Sequence, residues 1–163
     1  MTEANNIIQF PINQVTEIEL IYRNKISASS RPKIRTSDEA YRMLLDNWDM
    51  DKIELQEQFK LLLLDRNNGC IGISTLSTGG ISQCVVDLKL AFATAIKASA
   101  SCMILSHNHP SGNTKPSEAD KTITCRFNEV GKILDLPILD HLIITRDGYS
   151  SMADEGLMTP TPF

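Results

Sequence analysis

The sequence predicts an α/β sandwich, with a mixed central sheet flanked by helices. Two observations carry this. Residues 57–65, EQFKLLLLD, are apolar on both faces, Phe59, Leu61 and Leu63 on one and Leu62 and Leu64 on the other. A strand of that kind belongs inside a sheet covered on both sides. Around it, strand-like runs alternate with stretches whose apolar residues recur at helical spacing, in the order strand, helix, hairpin, helix, strand, loop, helix, strand.

Taken in order, residues 1–15 are weakly patterned. Residues 16–27 partly alternate, with Ile18, Leu20 and Tyr22 on one face, and read as a strand. A polar loop follows, in which Thr36 and Glu39 have the spacing of a capping box. Tyr41, Leu44, Leu45 and Trp48 then recur at helical spacing, so 37–48 is expected to be a helix. After strand 57–65, Arg66-Asn67-Asn68-Gly69 forms a turn with Asn-Gly as its strongest signal, and 70–76 returns as the next strand. Gly79-Gly80 breaks the chain before a short strand at 81–84. In 87–99, Leu88, Ala91, Phe92, Ala95 and Ile96 define an amphipathic helix whose small residues suit close packing on a sheet. Residues 102–106 form a short buried strand. Residues 117–131 are expected to be a helix with Ile123, Phe127 and Val130 inward; 138–145 is a strand, 146–148 a turn, and TPTPF a loose end.

At 163 residues with 42% hydrophobic and 22% charged residues, the chain suits one domain with a real core. The expected division is an N-terminal extension at 1–35, partly a strand; the domain at 36–157; and a tail at 158–163. No stretch is apolar and long enough to span a bilayer. The opening MTEANNIIQF has an early Glu3 and no basic segment, so it does not read as a signal peptide. A cytoplasmic location with free thiols follows, since Cys70, Cys84, Cys102 and Cys125 show no C-x-x-C spacing. The formal net charge of −4 argues against tight nucleic-acid binding. Arg23, Lys25, Arg31, Lys33 and Arg35 make a mild basic patch, for which a solvated edge strand and turn is the plainer explanation.

The chemistry concentrates in Ser106-His107-Asn108-His109-Pro110-Ser111-Gly112, followed by Ser117 and Asp120. In extended chain, residues two apart point to the same side, so His107 and His109 can reach one metal. Pro110, Gly112 and Pro116 turn the chain so that Asp120, at a helix start, can return to them. Two imidazoles and a carboxylate leave the fourth position of a tetrahedral zinc open for water, as a hydrolytic site requires. Glu57, a carboxylate at the head of an apolar strand, is a candidate general base, although sequence chemistry alone does not choose it over Glu54. Ser117 is a candidate donor to a tetrahedral oxyanion. Ser117-x-x-Asp120 is also an ordinary capping box, and capping and metal binding can coexist.

Residues 107–120, HNHPSGNTKPSEAD, resemble the JAMM zinc motif of the JAB/MPN metalloprotease-like family: His-x-His-Pro, then Ser-x-x-Asp, the serine following His109 after seven residues. The variant HNHPSG with PSEAD is similar in particular to the bacterial RadC family. The likeness extends through the strand after Glu57, through LDHLIIT and onto Ser150, over about 36–157. The resemblance implies a JAB/MPN-like, cytidine-deaminase-like sandwich. It implies one zinc ion per chain on His107, His109 and Asp120, with Glu57 as the catalytic glutamate and Ser117 as the supporting serine. His141, in the LDH segment, is left outside the catalytic set. RadC-like proteins commonly carry a DNA-binding helix-hairpin-helix domain ahead of this one, and the residues before 36 are too few to hold it.

Three functions compete. The first is a zinc-dependent hydrolase, a metallopeptidase or isopeptidase acting on a peptide or protein substrate. The second is a DNA-repair-associated accessory protein of the RadC type, which the charge does not support. The third is a non-catalytic protein-interaction module, against which the intact ligand set counts. A homodimer through the N-terminal or an edge strand remains open, and iron or manganese could replace zinc in a cell.

Overall fold

The structure is a computed structural model that describes residues 26–79 and 86–158. Within them run α1 (Ser37–Asp46), β1 (Gln58–Leu64), β2 (Cys70–Thr78), α2 (Leu88–Lys97), β3 (Cys102–Asn108), α3 (Glu118–Ile133), β4 (Ile138–Ile144) and β5 (Tyr149–Ser151). Of the expected strand at 16–27, residues 16–25 lie outside the described residues and Ile26 and Ser27 are not in a strand; the expected strand at 81–84 and residues 159–163 also lie outside them.

The five strands form one mixed sheet in the order β2-β1-β3-β4-β5. β1 pairs antiparallel with β2 and β3, β3 runs parallel to β4, and β4 is antiparallel to β5. The parallel β3–β4 step needs a crossover, which α3 supplies. All seven residues of β1 and all seven of β3 are buried.

The two-sided strand does what its pattern requires. Leu62 and Leu64 join Ala40, Leu44 and Trp48 of the α1 region, with Ile104, Leu142 and Ile144, in one cluster. Phe59, Leu61 and Leu63 join Ala91, Phe92 and Ala95 of α2 and Phe127 of α3 in a second cluster on the other face. Burying each such large side chain contributes about 1.5–3 kcal/mol, so the sheet is held from both sides.

Local signals account for most element ends. The Thr36 side chain accepts from the Glu39 N–H at 3.1 Å, as the spacing predicts, while the Glu39 carboxylate accepts from Arg35 N one residue before the cap. Asp87 caps α2 by accepting from Lys89 N. In the 65–70 turn Asn68 takes the left-handed conformation, φ 53°. Gly69 serves a different need there: a Cβ would meet the Asp65 carboxylate at 2.6 Å, and that carboxylate accepts from the N–H groups of Asn67 and Gly69.

Two expectations are corrected and one strand is added. Ile96 is 49% exposed rather than inward, because α2 buries a narrow small-residue stripe and ends a residue later. β3 runs to Asn108, two residues past its expected end, so His107 lies within the sheet. β5, with three residues, is too short for periodicity to reveal; it is held by pairing with β4. Of the basic patch, Arg31 is paired with Asp65 at 2.8 Å and Lys33 donates to the Asn67 carbonyl, so these two brace the 65–69 turn.

Gly131 allows the end of α3 to close against the chain entering β4. A Cβ there would lie 2.7 Å from the Leu136 carbonyl oxygen, whereas one at Gly148 would meet nothing within 4 Å. Gly131→Ala is therefore expected to destabilise the domain by about 1–3 kcal/mol through overpacking, and Gly148→Ala to stay within about 0.5 kcal/mol. Urea denaturation of the two variants against the parent checks this.

Candidate metal centre

The site forms where β3 leaves the sheet and α3 begins, at the carboxyl end of a central strand, where α/β folds place ligands. The pleat sends His107 to the α2/α3 face, where its ring stacks near Phe59 with 6.1 Å between centroids. His109 N–H still bonds the Ile144 carbonyl at 3.0 Å, so the chain keeps the alignment of the sheet for one residue past β3. His109 therefore projects to the same side, its ring centroid 4.8 Å from that of His107.

Asp120 comes back to them through a helix cap. Ser117 caps α3 in a full capping box: its Oγ accepts from Asp120 N, and its N–H donates to Asp120 Oδ2 at 2.6 Å. The Ser117 hydroxyl also donates to Asp120 Oδ2 at 2.6 Å. The cap thus fixes the carboxylate in the first turn, buried at 8% exposure and facing both rings. Its Oδ1 lies 3.0 Å from His107 Nε2, and its Oδ2 lies 3.5 Å from His109 Nε2.

The donor set fits a metal ion. His109 Nδ1 lies 2.7 Å from the Asn113 carbonyl oxygen, which only accepts, so Nδ1 carries the proton and Nε2 of the neutral ring keeps its lone pair. That lone pair points at His107 Nε2, 2.9 Å away, and at the carboxylate. His107, His109 and Asp120 each offer one ligand atom, all within 4.8 Å of one another. The group could hold a metal ion, and nitrogen with carboxylate oxygen suits zinc among others.

The electrostatics agree. The hydrogen bond to Asp120 raises the His109 pKa, against the opposing effect of burial, with a smaller raising contribution from the charge of Glu57. Burial alone would push Asp120 up, but its bonds to His107, His109 and Ser117 hold it well below the usual carboxylate range. The centre is built for positive charge next to Asp120.

Glu57 immediately precedes β1. Phe59 lies opposite His107 in the β1–β3 register, and continuing that antiparallel register by two residues runs Glu57 alongside His109. Its backbone is held from two directions. The Glu57 carbonyl accepts from Gly79 N at 2.8 Å. Asn108, between the two histidines and on the opposite face of β3, grips the chain on both sides of Glu57. Its Nδ2 donates to the carbonyls of Ile53 (2.6 Å) and Gln56 (3.0 Å), and its Oδ1 accepts from Gln58 N at 2.7 Å.

The structure therefore brings His107, His109, Asp120 and Ser117 together and runs the backbone of Glu57 alongside His109. Sequence reasoning gave no role to Asn108 and left His141 outside the catalytic set. The signal for Asn108 was its polarity at a position that must face the core if both histidines face the site. His141, with no exposed surface, lies behind His107, its Nε2 2.8 Å from His107 Nδ1. Next to it, Asp140 accepts from Ser151 Oγ, Ala153 N and His141 N, which ties the 151–153 segment to β4.

A family model for the RadC-like JAB domain matches residues 34–157. The chain belongs to this family. Among similar curated proteins is a UPF0758 protein of Flavobacterium johnsoniae, 48% identical over 101 residues, covering 62% of this chain and 44% of the relative. Others are UPF0758 proteins of Syntrophomonas wolfei, 46% identical over 63% of this chain and 44% of the relative, and of Alkaliphilus metalliredigens, 36% identical over 82% and 58%. The chain thus spans about half the length of the curated relatives it matches. The mixed five-stranded sheet with helices on both faces is consistent with the JAB/MPN-like sandwich.

Two outcomes are expected here. In metal-free protein, His109 has a raised folded pKa. Its contribution to stability is present below the ordinary imidazole value, about 6.5, and is lost as pH rises through the folded value. Asp120, being depressed, contributes above its unfolded value, about 3.9, and that contribution is lost only on strong acidification. Urea midpoints of chelator-treated protein should fall from pH 6 to 9, and Asp120→Asn should flatten the slope. Asn108→Ala leaves one buried N–H and two carbonyls without that partner and should cost at least about 2 kcal/mol. Hydrogen exchange should then rise first in residues 53–58.

Proposed function

We propose that this domain is a zinc-dependent hydrolase cleaving a peptide or isopeptide bond. The observation that carries this is the convergence of two imidazole nitrogens and the carboxylate of Asp120 within 4.8 Å of one another, with the charge of a further carboxylate, Glu57, acting on His109. The resident ligands would be His107 Nε2, His109 Nε2 and a carboxylate oxygen of Asp120. A zinc ion held there supplies a Lewis acid that polarises a scissile carbonyl and activates water.

The protein's own groups do the rest. Glu57 takes the proton released as water attacks the carbonyl carbon, and returns it to the departing amine as the C–N bond breaks. Ser117 holds Asp120 in place through its hydroxyl, and that hydroxyl can turn to donate to the oxyanion. Among the described strands β2 lies at one edge of the sheet, the position at which an extended peptide can add as a further strand. Cys70, Cys102 and Cys125 are free thiols, which supports a reducing compartment such as the cytoplasm. Among the described residues no helix is long and apolar enough to cross a membrane.

Metal analysis of protein purified without added metal or chelator should give about one zinc per chain, lost in His109→Ala. Glu57→Gln should keep the metal and lower hydrolysis of a responsive substrate, found in a panel of peptides and isopeptide-linked conjugates, by about 10²–10⁴-fold. A folded parent that takes up no zinc on titration rules the hydrolase out.

A further inference from the structure

The buried residues behind His107 form a chain of hydrogen bonds whose direction is set at one end. The Asp120 backbone carbonyl can only accept. The Thr124 hydroxyl lies 2.6 Å from it, one helical turn on, and 3.6 Å from Met152 Sδ, a weak acceptor, so the single hydroxyl proton points to the carbonyl. Thr124 Oγ1 is also 2.6 Å from His141 Nδ1. With its proton directed at Asp120, it accepts, and His141 carries its proton on Nδ1. His141 has no exposed surface and packs edge-on to Phe59, 5.5 Å between centroids, surroundings that disfavour a second proton. Its Nε2 therefore accepts, and the partner at 2.8 Å, His107 Nδ1, donates. A neutral His107 protonated on Nδ1 has its lone pair on Nε2, the atom that faces His109 and Asp120.

We propose that Thr124 and His141 are positioning residues that hold His107 in the one tautomer able to present Nε2 to a metal ion. The inference rests on the metal-centre reading above, and it extends α3's part in the site. The helix supplies the ligand carboxylate of Asp120 and, through the same residue's carbonyl, the fixed end of the chain that orients a second ligand. His109 reaches the same tautomer by a separate route, through the Asn113 carbonyl. A purely structural His141 would pack equally well with its proton on either nitrogen, so the tautomer is the property to measure.

The sequence holds three histidines, so long-range nitrogen-15 spectra of the side chains give three resolvable patterns, assigned with His109→Ala. Spectra are recorded on zinc-loaded protein, and on metal-free protein about two units above the ordinary imidazole pKa. The expected result is a proton on Nδ1 of both His107 and His141 in both states. Thr124→Val keeps the branched shape and removes the hydroxyl; it should release this preference and weaken zinc binding by about 10–100-fold, while Thr124→Ser stays near the parent. A parent with the proton on His107 Nε2, or a folded Thr124→Val protein with parental tautomers and zinc affinity, overturns the proposal. Parental Nδ1 tautomers in a protein that binds no zinc would support the tautomer lock and overturn the metal-centre reading, so the two fail separately.

Discussion

Two imidazole lone pairs and a carboxylate pressed together repel one another unless a positive charge lies among them. In this domain the backbone leaves them no escape. His107 is locked in the sheet, His109 is tied to it by a bond to the Ile144 carbonyl, and Asp120 is locked in a helix cap. The raised pKa of His109 and the depressed pKa of Asp120 express the same demand, met by a proton when no metal is present. Much of the fold serves to hold these three groups against their mutual repulsion.

That holding is divided between the two faces of β3. On the α2/α3 face, His107 rests on Phe59 and His141, and Phe59 stacks in turn on Phe127, so the ring is backed by a buried apolar and aromatic bed. On the opposite face, Asn108 spends its whole carboxamide on the segment carrying Glu57. One pleat of one strand therefore orients the ligands on one side and the candidate base's backbone on the other. A shift of β3 by one residue would exchange these roles and destroy both. The burial of every residue in β1 and β3, with packed clusters on both sides, makes such a shift costly.

Ser117 shows how capping and metal binding share one motif. The spacing Ser-x-x-Asp reads equally as a helix start and as half of a metal site, and the geometry makes it both at once. The serine caps Asp120 N, and its own N–H and hydroxyl donate to the carboxylate that faces the histidines. Here the local stability of α3 and the placement of a ligand are one set of hydrogen bonds.

Much of this was legible in the sequence because it depends on short-range patterning. The two-sided apolar pattern of 57–65 names a central strand, helical spacing names α1, α2 and α3, and His107-x-His109 with Ser117-x-x-Asp120 names the site. What stayed hidden depends on residues far apart in sequence meeting in space. β5 exists because β4 pairs with it, Ile96 is outward because of where α2 lands on the sheet, and the chain at Glu57 comes alongside His109 only through the β1–β3 register continued past Phe59. Asn108 gained its role from a segment 50–55 residues away, and His141 from one 34 residues away. The sequence by itself determined which groups could form the centre, because side-chain chemistry and strand or helix periodicity are local. Tertiary structure decided which groups orient them, because a hydrogen bond between distant segments exists only once the sheet has brought them within about 3 Å.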